Sequence, residues 1–554
     1  MPKDKDLKST STVATLVAKV NVASLPKPVN ATNTVVIPFN PINTTSYAFQ
    51  KNQDNLVQPK KSFAVVSPIV GEAGANISTP LKIFSGFEGL DQNGHIPPDV
   101  QIGVGPSHVV EMVNAEGMIW TKQGILLTSF SLTSFFSTTD DIFDSRIFYD
   151  ALSGKWFAST VDATSHSVRL AVSTTSDPTG SWNIYNVSFG TNCPDQAKIA
   201  VSNDKFVVAA NDFAAGRCNN TPKGGQFIVL DKNELITGPP ITKIYDSGPS
   251  FNMFALLPVQ SLSSTSTLFM VENRSNMIRL YTISGAVPNV SIATTDLAIL
   301  ASVVPPDAAQ AGSSLLVNTG DNRVQDADWY LGKLWLSLND ACTPSGDSQL
   351  RSCIRLIQIN TVSKTVTQDF NVGRIGYYYF YPALSIDSSG NLDLVFGFSS
   401  ASDSRYPSIA VTGQTINDPI NSVQSLLTLR EGSYPNLDFR HGDYFGAALD
   451  PTDTGRAWVA GEYYAANSFS SSHWSTFIGV ISSNVCVVPT SGEWIISASC
   501  TLTSSASAPG NVTVQNGAVL TIPSGVFLDI NFITNHLFVQ SGSGVLIQSG
   551  GKIF

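Results

Sequence analysis

Charged side chains are scarce in this chain. They make up 13% of its 554 residues, about half the usual share. Lys and Arg number 32 against 42 Asp and Glu, for a formal charge of −10. No long basic run occurs, which argues against a nucleic-acid partner. Long apolar runs are missing too: none reaches the roughly 18 residues that a transmembrane helix needs. Histidine is thinly spread over His95, His108, His166, His441, His473 and His536, with no H-x-H or H-x-x-x-H. A copper or zinc centre of clustered histidines is therefore not expected. The absence of C-x-x-C removes zinc ribbons and thioredoxin-type motifs. No G-x-S-x-G, phosphate loop or dinucleotide fingerprint sits in a strand–turn–helix context. Helical periodicity is almost absent.

What remains is apolar and turn-rich. Hydrophobic residues reach 42% and aromatics 10%, enough for a large core, while Ser, Thr, Asn and Gly replace charge. This is the profile of an all-β exterior protein. Six cysteines fall into three close pairs along the chain: Cys193 with Cys218, Cys342 with Cys353, and Cys486 with Cys500. Six cysteines allow about fifteen pairings; short-range pairing is the simplest, each bond closing one loop. Disulfides imply an oxidising compartment. Eight N-x-S/T sequons, at Asn30, Asn43, Asn76, Asn186, Asn219, Asn273, Asn289 and Asn511, add weak support for an exported glycoprotein. Residues 11–25 make a poor signal peptide, because Lys19 and Asn21 interrupt the apolar run. The expected location is extracellular or at the cell surface.

Residues 1–80 show no sustained period and read as a flexible leader or linker. From Leu81 a unit recurs at intervals of about 50 residues. It opens on an acidic or Pro-containing turn, followed by an apolar strand, a tight turn and a second apolar strand. The copies are residues 97–114, 144–162, 194–212, a weaker one ending at Asn273, 326–340, 381–399 and 441–464. One or two further strand-like runs follow each. Four strands per unit, seven times over, is the pattern of a seven-bladed β-propeller spanning 81–482. Residues 483–554 alternate short apolar strands with N-G, S-G and G-G turns, as in a small β-solenoid or β-roll, with a strand-rich sandwich remnant as the alternative.

The stretches PPDVQIGVGPSHVVEMVN, FYDALSGKWF, DQAKIAVSNDKFVVAANDF and HGDYFGAALDPTDTG resemble those of secreted bacterial and archaeal propeller proteins. The tail GEWIISASCTLTSSASAPGNVTVQNGAVLTIPSG resembles a C-terminal module of archaeal surface proteins. The resemblance implies fold and exported location, and little about function.

Aligning the units puts a carboxylate before the innermost strand in five of them: Asp99, Asp144, Asp195, Asp326 or Asp328, and Asp443. Units four and six carry Pro258 and Tyr381 instead. Inner strands of a propeller start at one end of the central channel, so these acids are expected to converge on one axial mouth. Arg146, Arg323, Arg440 and His441 are expected beside them, with His95 and residues 377–379 nearby. Asp99, Asp144, Asp195 and Asp443 form a candidate Ca²⁺ set, since hard cations take oxygen ligands. The bland reading is that each Asp caps the turn entering its strand. Three functions stay open. The first is a surface or secreted scaffold binding an extracellular protein, glycan or cation. The second is a carbohydrate-active enzyme, glycosidase or lyase, using axial Asp and Arg. The third is a structural envelope component. Against sialidase-type enzymes, residues 176–182 (SDPTGSW) approach an Asp-box only once, with the Asp-to-Gly spacing one residue too long. Asp387–Asp393 and Asp450–Gly455 look like Ca²⁺ loops but fall where other units turn, and the tryptophans read as inter-blade packing.

Overall fold

A computed structural model describes residues 14–26, 81–214, 221–466 and 473–554, apart from 484, 487, 498 and 503. Seven antiparallel sheets follow one another along the chain. Their inner strands are Gln101–Val104, Ile142–Asp150, Cys193–Val201, Leu257–Pro258, Val324–Tyr330, Tyr378–Ile386 and Gly446–Leu449. Successive inner strands touch in a closed circle, the seventh returning to the first. This is a seven-bladed β-propeller, with each sheet a blade.

The reason lies in burial. Second strands such as Lys205–Phe213 and Leu392–Ser400 are buried at every position, so each face needs an apolar cover. Neighbouring blades supply it. One core cluster joins Phe157, Leu170 and Tyr185 of blade 2 to Phe206, Ile228 and Leu230 of blade 3. Each such side chain contributes about 1.5–3 kcal/mol on burial. Within blades, the hairpin after the inner strand turns on a left-handed residue, as at Gly154 (φ 68°) and Gly390 (φ 85°), where a side chain would be strained. Trp120, Trp156, Trp182, Trp329, Trp335, Trp458 and Trp474 are all buried. The carboxylates of Asp387 and Asp450 accept backbone N–H bonds within their own loops, as turns do.

The ring closes with strands from both ends of the propeller. Lys82–Asp91 pairs with His473–Ser482 as the outer strand of blade 7. The segment expected to be leader behaves differently near its start. Ala14–Asn21 is a strand, paired antiparallel with Ser181–Ser188 as a fifth strand of blade 2. Its burial alternates residue by residue, the mark of an edge strand with one face covered. Residues 1–13 and 27–80 lie outside the described residues.

The tail forms three parallel sheets of three strands. Trp494–Ile496, Val512–Val514 and Leu537–Val539 make one; Cys500–Thr501, Val519–Ile522 and Gly544–Ile547 the second; Ala506–Ser507, Phe527–Asp529 and Lys552–Ile553 the third. Successive coils stack in register, a three-sided β-solenoid around Val512, Val514, Leu520, Ile522 and Leu528. Cys342–Cys353 and Cys486–Cys500 are disulfides. Cys193 is also disulfide-bonded, and Cys218 lies outside the described residues. Of the sequons, Asn289 is exposed, whereas the Asn273 amide is engaged with Ser302 and Asn322. Asn30, Asn43, Asn76 and Asn219 lie outside the described residues. No helix is long and apolar enough to cross a membrane among the described residues.

Candidate functional site

The lead-ins to the inner strands share a backbone device. Asp99, Asp144, Gln196, Ala255 and Tyr381 all have φ between 49° and 55°. This left-handed region costs an ordinary residue about 1–2 kcal/mol. In blades 2, 3 and 6 the same place carries a β-bulge, between Phe143 and Arg146, Asp195 and Lys198, and Phe380 and Ala383; blade 5 has a shift between Val324 and Asp326. Bulges re-aim the side chains that follow.

What holds the strained residues is a side-chain network running from blade to blade. Asn114 Oδ1 accepts from the Asp144 N–H at 3.0 Å. Asn211 and Asn339 do the same for Ala255 and Tyr381, both at 2.7 Å. Asp144 Oδ2 accepts from Gln196 N at 2.8 Å, and Asp99 Oδ1 from Asp443 N. Asn273 Nδ2 donates to the Asn322 carbonyl at 2.6 Å. The axial Asp residues therefore bridge neighbouring blades. Asp326 does both tasks, accepting from its neighbour Ala327 and, across the junction, from Leu384.

The expected acids and arginines do meet. Asp99, Asp144, Asp195 and Asp443 lie close enough for their charges to interact, with Arg440 and Arg323 in the same field. Arg440 pairs with Asp443 at 2.9 Å, and Arg323 pairs with Asp321. Arg440 and Asp443 keep 24% and 19% of their side-chain surface exposed, although protein surrounds them, which is the condition of a channel lumen. Arg146 lies over the Tyr444 ring, 3.7 Å from its centroid, and Lys198 Nζ is 5.7 Å from the same centroid.

Burial dominates the protonation states. It raises Asp99 well above the usual carboxylate range, and the charges of Asp443 and Asp144 add to it. Asp144 is raised by burial and then by Asp443, and hydrogen bonds with Asp99. Asp195 is pushed up to about 8 by burial and then by Asp144. Burial lifts Asp326 to about 6. Among the described residues no group of three or more His, Cys, Asp or Glu is disposed to hold a metal ion, so the candidate Ca²⁺ set carries no metal assignment.

Two expected mouth residues sit elsewhere. Asp328 lies mid-strand, where its partners are Asp326 and Ser385; Asp326 is the one whose charge meets Arg146 and Lys198. His441 is fully buried among Phe380, Tyr381, Phe445 and Tyr464. Its Nδ1 is 3.2 Å from Glu462 Oε1. Tyr381 belongs to the strained set, its hydroxyl donating to Asn318. Sequence reasoning missed Lys198 and Tyr444. The signal for Lys198 was its place in DQAKIAV, matching Arg146 in DSRIFYD once Gln196 rather than Asp195 is set against Asp144. Away from the axis, a cleft lined by Leu152, Ser153, Asn203, Lys232 and Ser264 contains a buried Lys232–Asp150 pair at 2.6 Å.

No protein-family model and no curated protein matches this chain. Solved structures with overlapping geometry include a protein of unknown function from Dyadobacter fermentans, at 10% identity and TM-score 0.34 over 73% of this chain and 99% of that one. A chain of a mitotic checkpoint complex aligns at 10% identity and TM-score 0.35, over 75% and 98%. The architecture rests on the seven sheets themselves.

Proposed function

We propose that this chain is an exported β-propeller binding protein that takes a polar ligand, borne on a glycan or a protein, at the axial mouth. The supporting observation is the convergence of Asp99, Asp144, Asp195 and Asp443 with Arg323 and Arg440 in a lumen that solvent still reaches. Polar groups held on a rigid ring recognise polar ligands with little reorganisation. The two disulfides fit an oxidising compartment. The test is binding of neutral and charged oligosaccharides and peptides to the wild type and to Arg440→Gln/Asp443→Asn. A ligand whose binding the double variant loses, with unfolding unchanged, supports the reading. Binding that survives the double variant overturns it.

An enzymatic reading has one specific support. Asp195, held protonated near neutral pH, has the property of a general acid. Glycan cleavage by the wild type, lost in Asp195→Asn, would establish it; an inert wild type across a glycan panel would dismiss it.

A further inference from the structure

Among the described residues Arg146 and Lys198 make no salt bridge, although the charges of Asp144 and Asp321 reach them. Arg146 and Lys198 follow the bulges of blades 2 and 3, at matching positions on adjacent inner strands. Their exposures are 9% and 3%. Arg323 and Arg440 are each paired to a carboxylate, but Arg146 Nε and Nη2 are buried and donate no hydrogen bond. Lys198 Nζ has one long contact, 3.5 Å to the Val324 carbonyl. Both lie near the Tyr444 ring, whose hydroxyl is also buried without a partner among the described residues. The nearby carboxylates are turned away: Asp144 accepts from Gln196, and Asp326 from Ala327 and Leu384.

Arg146, Lys198 and Tyr444 thus bring buried donors, two of the groups basic, to one neighbourhood with little acceptor to meet them. Buried cations are costly unless paired. The Lys198 ammonium is held well below its ordinary range by burial and then by Arg146 and Arg323. An anion would relieve all of this at once. We infer that Arg146, Lys198 and Tyr444 form a seat for a small oxyanion, a carboxylate or phosphate group, inside the propeller lumen. The inference deepens the binding reading above and rests on it. The guanidinium edge supplies paired donors, the ammonium a point charge and the phenol a directed O–H.

The test follows thermal unfolding of the full chain in sodium acetate, sodium glucuronate and sodium phosphate, against sodium chloride at matched ionic strength. An oxyanion that binds raises the midpoint as its concentration rises. Acetate and phosphate report a free anion; stronger protection by glucuronate reports a sugar-borne carboxylate. Lys198→Met is expected to raise the ligand-free midpoint, since it removes a buried unpaired charge, and to weaken oxyanion binding about tenfold or more. Arg146→Lys is expected to keep part of the effect, and Lys333→Ala, at an exposed cation, to change nothing. Retention of the full oxyanion shift in Lys198→Met overturns the seat. Should both lumen variants fail to fold, broadening of the phosphate ³¹P signal by the wild type, reversed by acetate, decides the matter; no broadening overturns it. A neutral oligosaccharide that protects the wild type but not Asp443→Asn, while no oxyanion protects, would overturn the seat and leave the lumen reading standing. No response to any probe would overturn both.

Discussion

Asn114 ties two blades together with one side chain. Its amide donates to Asp99 Oδ2 and to the Pro97 carbonyl, while its oxygen accepts from the strained Asp144. Asn114→Ala leaves these buried groups unpaired, at about 1–3 kcal/mol for each group stranded. A loss of about 2–4 kcal/mol is expected, read from urea unfolding. Asp195 makes a separate prediction. Its folded value of about 8 lies above the unfolded value near 3.9. Its contribution is therefore complete below pH ~4 and lost as pH rises through about 8. Asp195→Asn should flatten that decline, so the variant gains on the wild type between about pH 5 and 8. Urea midpoints across this window check the sign. These residues also show what the sequence could reveal. The recurrence of Asp before the inner strand was legible from the repeat, although Asp195 stands one residue ahead of the position that Asp99 and Asp144 occupy. That the acids bridge blades was not legible, because the N–H donor each one accepts from lies one blade away.

At the scale of elements, the edges decide. Ala14–Asn21 covers the outer edge of blade 2, and Lys82–Asp91 completes blade 7. Removing residues 1–26 should leave the propeller folded and speed amide exchange in Ser181–Ser188, whose outer hydrogen bonds then face water. Removing residues 1–91 should abolish cooperative unfolding, because Ile83, Phe84, Phe87 and Leu90 pack into the cores of blade 7 and its neighbours. Circular dichroism and exchange mass spectrometry separate the two outcomes. The first of these strands escaped sequence reading. Its alternation over Ala14–Asn21 is short, and Lys19 looked like an interruption of an apolar run when it is an outward-facing edge residue.

At the scale of the molecule there are two cores. The solenoid cluster around Val512, Leu520 and Leu528 contains no propeller residue, and every propeller cluster excludes the tail. Calorimetry should show two transitions. Truncation after Ser483, which keeps the Ser483–Asp393 hydrogen bonds, should remove one and leave the propeller midpoint within about 2–4 °C.

The repeat count, the all-β class and the coiled tail were properties of the sequence itself, because period, turn residues and strand patterning are local and recur. Which cations go unpaired was decided only by tertiary structure. Arg146 and Lys198 sit in different repeats, and aligning Asp144 with Asp195 leaves them one residue out of phase, because Gln196 is the structural counterpart of Asp144. Only closure of the ring brings both of them to Tyr444, some 250 to 300 residues further along the chain, and turns the neighbouring carboxylates toward backbone N–H groups. The axial mouth was thus expected as a ring of acids. The folded ring instead sets acids whose burial favours the neutral form beside Arg146 and Lys198, which make no salt bridge among the described residues.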